Sequence, residues 1–129
     1  MTSVIQQSVR FRTSPQTLYE LYLNSAKHSR STGARARISR KVGGKFTAFA
    51  GQLAGKNLFL LPGKQIVQLW RATHWKKEDW SILVLTFSRV AGGAQIDLVH
   101  IAVPNYDHKG VRKGWPKYYW RPWKKFLAK

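Results

Sequence analysis

The sequence predicts an α+β domain in which a curved antiparallel sheet of about six to seven strands wraps around a long C-terminal helix. Three observations carry this. Residues 35–103 alternate apolar and polar side chains with a period of two, interrupted by turn dipeptides at hairpin spacing. Residues 107–129 repeat instead at the helical period. There Val111, Trp115, Tyr118, Tyr119, Pro122, Trp123 and Phe126 fall on one side, and Lys113, Lys117, Arg121, Lys124 and Lys125 on the other. So wide an aromatic face needs a broad apolar surface to cover it, and a sheet with one apolar face supplies that surface.

Taken in order, residues 4–12 read as a strand with Ile5, Val9 and Phe11 inward. Ser14 is placed to cap a helix and Pro15 to occupy its first position; Leu18, Leu21 and Tyr22 form its apolar stripe. Asn24-Ser25 restarts the chain as a second short helix through about His28, ended by Ser31-Thr32-Gly33. A short polar strand over 35–40, a turn at Val42-Gly43-Gly44, a strand over 45–49 and a tight turn at Gly51-Gln52 follow. The strand over 53–61 is expected to break at Gly55-Lys56-Asn57. Pro62-Gly63 then turns the chain into three longer strands, 65–73, 81–89 and 94–103, the last two joined through Ala91-Gly92-Gly93. Pro104 closes the sheet and the final helix starts near Asp107. Pro116 marks an alternative start at Trp115, and Pro122, which removes an N–H, is expected to kink the helix.

The 129 residues are expected to form a single domain, 1–129. A hydrophobic fraction of 43% and an aromatic fraction of 13% exclude a disordered basic tail. The chain has no cysteine, which excludes disulfides and thiolate chemistry. No signal-like or membrane-spanning apolar run is present, so a soluble, cytoplasmic protein without membrane insertion is expected. The net charge of +18 is the outlying quantity. Its Lys and Arg residues are dispersed from Arg10 to the C-terminus, the pattern of a general basic bias. Affinity for nucleic acid is expected to be non-specific only and to weaken steeply with salt. On the basic face of the last helix, Trp120 is the only group suited to base stacking.

Catalytic chemistry finds little support. His28, His74, His100 and His108 make no metal-ligand spacing, no nucleophile elbow or phosphate loop occurs, and no carboxylates pair; no metal or other cofactor is expected. His100 shares the inward face with Ile96, Leu98 and Ala102, while Asp97 points the other way, which argues against an Asp–His dyad. Two readings of His100 stay open: a group meeting a ligand, or a core histidine satisfied by a backbone carbonyl or water.

Gly43-Gly44-Lys45-Phe46, Gly51, Gly55-Lys56-Asn57-Leu58 and the run Leu61-Pro62-Gly63-Lys64-Gln65-Ile66-Val67-Gln68-Leu69-Trp70-Arg71 resemble the activator of heat-shock protein 90 ATPase homologue family. So do Thr73-His74-Trp75, His100 with Val103-Pro104, and Gly114-Trp115 with Tyr119-Trp120-Arg121-Pro122-Trp123. The resemblance runs from Ser8 to Leu127. It implies membership of the START-like (SRPBCC, Bet v 1-like) superfamily and its helix-grip fold, a sheet gripping the C-terminal helix over a hydrophobic pocket. In the eukaryotic co-chaperones the similar domain follows a separate N-terminal domain and assists the chaperone's ATPase cycle; 129 residues have room for the one domain only. Family members usually carry acids on the outer strands and last helix, where this chain carries Lys and Arg.

Phe46, Trp70, Phe87, His100, Trp115 and Tyr119 are expected to line the pocket. The first functional expectation is non-catalytic binding of a hydrophobic small molecule or lipid-like ligand between sheet and helix. The alternative is a protein-interaction module whose basic surface meets a chaperone or another acidic protein. Non-specific nucleic-acid association and a cyclase- or hydrolase-type enzyme follow; for the latter only His100 offers an acid or base.

Overall fold

A computed structural model describes residues 4–128; residues 1–3 and Lys129, the last position of the predicted helix, lie outside them. The chain runs β1 (Ile5–Phe11), α1 (Pro15–Leu23), α2 (Ser25–Thr32), β2 (Arg37–Ile38), β3 (Lys45–Ala48) and β4 (Leu53–Leu61). It continues with β5 (Gln65–Ala72), β6 (Ser81–Val90) and β7 (Gly93–Ile101), then a 3₁₀ turn (Asn105–Asp107) and the C-terminal helix. That helix has three parts: α3 (His108–Trp115), a π-helical segment (Pro116–Trp120) and α4 (Arg121–Leu127).

Local chemistry accounts for the boundaries. The Ser14 side chain accepts the Thr17 N–H, and Pro15 occupies the first turn of α1, where its missing N–H costs nothing. Asn24 serves two helices. Its backbone N–H ends α1 on the Glu20 carbonyl, and its side chain caps α2 at the Lys27 N–H. Gly33, at φ 81°, closes α2 in the left-handed region that favours glycine.

The strands form one antiparallel sheet in the order β1-β7-β6-β5-β4-β3-β2. Five of the six pairings join strands adjacent in sequence; the sixth brings β1 against β7, from Ile5↔His100 to Phe11↔Ala94. Ile66, Trp70, Leu83, Leu85, Phe87, Ile96 and Leu98 point inward and are buried. They meet the C-terminal helix and α1, as in the Trp70–Trp115 and Tyr19–Phe87 ring contacts. This is the helix-grip arrangement.

The expectations need four corrections. The strand over 35–40 shrinks to the two residues of β2. β4 is not broken at Gly55. Gly55 lies in the ladder opposite Trp70, and the register shifts further on, between Asn57 and Phe59. The helix starts at His108 and not at Trp115, and its irregularity lies at Pro116–Trp120, before Pro122. The cause is Pro116, which has no N–H to give the Arg112 carbonyl. Gln7 Nε2 donates to that carbonyl instead, at 2.8 Å, and the Arg121 N–H reaches back five residues to Pro116. The wider turn also rotates the helix faces. Tyr118, expected inward, is 48% exposed, and Trp120, expected on the basic face, is 5% exposed with its Nε1 donating to Gln7 Oε1.

Among the described residues no helix is long and apolar enough to cross a membrane.

Candidate functional site

A cleft of about 520 Å³ lies between the C-terminal helix and one end of β4 and β5. Its floor is aromatic: Trp70 from β5, Trp115 from α3, and Tyr119 from the π segment. Trp115 and Tyr119 stack with centroids 4.7 Å apart, and Trp70 packs on Trp115 at 6.1 Å. One wall is Phe49, carried by the β3–β4 turn. Phe49 and Ala50 hold φ of 52° and 55°, left-handed values that cost a residue with a Cβ. That turn sets the Phe49 ring edge-on to Tyr118 at 5.7 Å and Tyr119 at 5.5 Å. The opposite wall is Gly110, Val111 and Gly114 of α3, two glycines one helical turn apart; a Cβ at Gly110 would press on the Asp107 carboxylate, and one at Gly114 would touch the Tyr118 ring.

The mouth is polar. Asp107 accepts from Trp75 Nε1 at 2.7 Å, and His74 Nε2 lies 3.5 Å from the same carboxylate. It is one of five acids in the chain, so a carboxylate here is locally distinctive.

Of the residues expected to line a pocket, Trp70, Trp115 and Tyr119 come together in this cleft. Phe46, Phe87 and His100 lie elsewhere in the core: Phe46 against Gly55, Phe87 against Tyr19 at 5.8 Å, and His100 behind Trp70 and Trp115. Phe49, Asp107, Gly110 and Gly114 were not legible as cleft residues. The one usable signal was the Gly110–Gly114 spacing beside Val111 and Trp115 on a helix otherwise rich in large side chains.

His100 stands 2.8 Å from Ser81 Oγ, a contact that on distance alone suggests an activated serine. The proton inventory argues otherwise. Trp115 Nε1 can only donate, so His100 Nδ1 is the acceptor at 3.2 Å and Nε2 carries the hydrogen. Nε2 therefore donates to Ser81, whose hydroxyl donates to the Trp70 carbonyl at 2.7 Å. A histidine that donates to the serine cannot take its proton. Burial, with electrostatic repulsion from the His108 ring second, lowers the His100 pKa to about 3.

His28 repeats the logic. Its Nδ1–H donates to the Tyr22 carbonyl at 2.7 Å, leaving Nε2 to accept from Tyr119 Oη at 2.9 Å. Burial lowers its pKa to about 4 despite the bond to Tyr22. Tyr22 in turn donates to Gln68, and Gln68 to Asn57, which anchors the Ser39 and Lys41 carbonyls. Burial drives the Tyr22 and Tyr119 hydroxyls well above the usual tyrosine range, so both serve as neutral donors. The Trp70 N–H lies near the Tyr22 hydroxyl without closing a hydrogen bond. Among the described residues no three His, Cys, Asp or Glu side chains gather to hold a metal ion.

The profile of the family described as "Activator of Hsp90 ATPase homolog 1-like protein" matches residues 12–128. The "Activator of 90 kDa heat shock protein ATPase homolog" of Dictyostelium discoideum is 30% identical over 118 residues, covering 90% of this chain and 30% of its own length. The human "Activator of 90 kDa heat shock protein ATPase homolog 1" is 30% identical over 109 residues, covering 84% and 32% respectively. The chain thus spans about a third of the length of these curated relatives. Among solved structures, an HSP90 activator from Plasmodium falciparum superposes with a TM-score of 0.89 at 22% identity, over 98% of this chain and 97% of that one. On the family match and these identities, the chain belongs to the Activator of Hsp90 ATPase homolog 1-like family.

Proposed function

We propose that this chain is a protein-interaction domain that docks on a heat shock protein 90-type chaperone through its basic surface. The family match across residues 12–128 carries this reading. Two features of the molecule support it. Tyr22, Trp70, Trp115, Tyr119 and Trp123 fill most of the space between sheet and helix and leave a cleft at one end, so a protein partner would meet the outer surface. The chain has 23 Lys and Arg against 5 acids, a balance that favours an acidic partner and fast, salt-sensitive encounter. The test is titration of a purified heat shock protein 90 by the chain in the presence of nuclease, read by calorimetry and by the chaperone's ATPase rate. Saturable binding that weakens with salt is expected; no heat at low salt, or binding abolished by nuclease, overturns the reading.

The cleft favours a second reading, a small hydrophobic ligand held against Trp70, Trp115 and Tyr119. Its volume falls within the range of small-molecule sites, roughly 300–1,000 Å³. Trp115→Ala is expected to abolish the ligand-dependent change in tryptophan fluorescence when the chain is titrated with aromatic and fatty-acid probes. A titration unchanged by that substitution counts against this site.

A further inference from the structure

The outward face of the sheet departs from the apolar-in, polar-out alternation of a sheet with one wet side. Phe59, Val67, Val84 and Val99 stand side by side in one row across β4, β5, β6 and β7. Leu69, Ile82 and Ile101 form the next row. Their sequence neighbours Ile66, Leu83, Leu85 and Leu98 are the buried inner set, so the rows face out; Phe59 is 46% and Ile101 37% exposed. Four strands at their usual spacing make a patch about 15 Å across. Single exposed apolar residues are ordinary, whereas a contiguous patch marks contact.

Two further observations say what covers it. The first is charge. Lys56 ends the second row opposite Leu69, Lys45 lies opposite Lys56, Arg71 follows Leu69 on the same face, and Arg10 stands opposite Gln95. The one acid among them, Asp97, is held by Ser8 and Gln95. The second is an open edge. The β3–β4 register stops at Lys45↔Lys56, and the last backbone bonds across it are at Asn57. Beyond that point no described strand pairs with the outer edge of 58–61, where Leu58, Phe59 and Leu61 are exposed.

We propose that this face is the docking site for an acidic protein that adds an extended segment along the 58–61 edge and covers the two aliphatic rows. An added strand completes the ladder by backbone hydrogen bonds, and its acidic side chains meet Lys45 and Lys56. A second copy of this chain would bring another +18 molecule with the same basic rim. A lipid surface suits the rows and rim but has no strand to offer the edge. The proposal rests on the geometry of the face and holds whether or not the partner is a chaperone.

The test titrates isotope-labelled chain with a capped octapeptide alternating Glu and Val, and with its Lys–Val counterpart. The acidic peptide should saturably shift the amides of 58–61, and the basic one should shift none. Val84→Thr with Val99→Thr keeps β-branched side chains at both positions and should leave the spectrum folded while weakening binding tenfold or more. Lys56→Glu should weaken it similarly. Equal shifts with both peptides, shifts confined to α3 and α4, or indifference to the double variant overturns the proposal. So does a concentration-dependent dimer that protects the 58–61 amides, or anionic vesicles protecting them in preference to the peptide. A negative result here leaves chaperone binding, read by calorimetry and ATPase rate, to stand or fall separately.

Discussion

His28 and His100 each spend both ring nitrogens on core hydrogen bonds, and each would carry a buried charge if protonated. Their folded pKa values, about 4 and about 3, lie below the unfolded value of 6.5. Above pH 6.5 neither state takes up the proton and stability is complete. As pH falls below 6.5 the unfolded chain protonates first, so each histidine withdraws about 1.4 kcal/mol per pH unit until its folded pKa is reached. Urea unfolding should therefore lose about 3 kcal/mol between pH 6.5 and 5; a flat profile there would show that neither ring is buried neutral. Gly55 makes a second prediction at this scale. A Cβ there would drive into the Leu69 carbonyl oxygen and stand 2.7 Å from Phe46 Cε2, against backbone and a buried ring. Gly55→Ala is expected to cost about 2 kcal/mol or more, measured by the denaturant midpoint. Sequence marked Gly55 correctly as special but for the wrong reason: a glycine that breaks a strand and one that lets a strand pass close to its neighbour look alike.

At the scale of elements, one side chain ties β1 to the last helix. Gln7 donates to the Arg112 carbonyl that Pro116 leaves free and accepts from Trp120 Nε1. Gln7→Ala would orphan an N–H and a carbonyl at a half-buried junction, and should cost about 2 kcal/mol in chemical unfolding. Gln7→Glu keeps the acceptor for Trp120 but sets a carboxylate oxygen against the Arg112 carbonyl, and should cost at least as much. A loss well below that of Gln7→Ala would show that the Trp120 contact alone matters. The helix itself was legible, since its aromatic period is local. Its π segment was not, because the outcome at a proline depends on which group takes over the freed carbonyl, here one more than a hundred residues away in sequence. The exchange of Tyr118 for Trp120 on the buried face follows from that one event.

For the whole molecule, charge is the governing quantity. A net +18 on 129 residues, with the Arg40–Glu20 ion pair on the surface, leaves most cations to repel one another. Raising NaCl from about 20 mM to about 300 mM shortens the Debye length from roughly 20 Å to below 10 Å. It should raise Tm by several degrees, on the order of 5 °C, by scanning calorimetry. A Tm that falls with salt would mean the cations are compensated within the fold.

The sheet, its hairpins, the capped short helices and the gripped aromatic helix were determined by the sequence itself, because each rests on a periodicity or a cap within a few residues. Only the tertiary structure decided which aromatics open onto the cleft and what His100 is bonded to. A cleft is the difference between the volume a curved sheet encloses and the side chains that fill it. Phe46, Phe87 and His100 face inward as their alternation requires, yet inward for them means the packed core. Trp70 on β5 and Trp115 and Tyr119 on the C-terminal helix reach the cleft beside Gly110 and Gly114, which carry no side chain of their own into it.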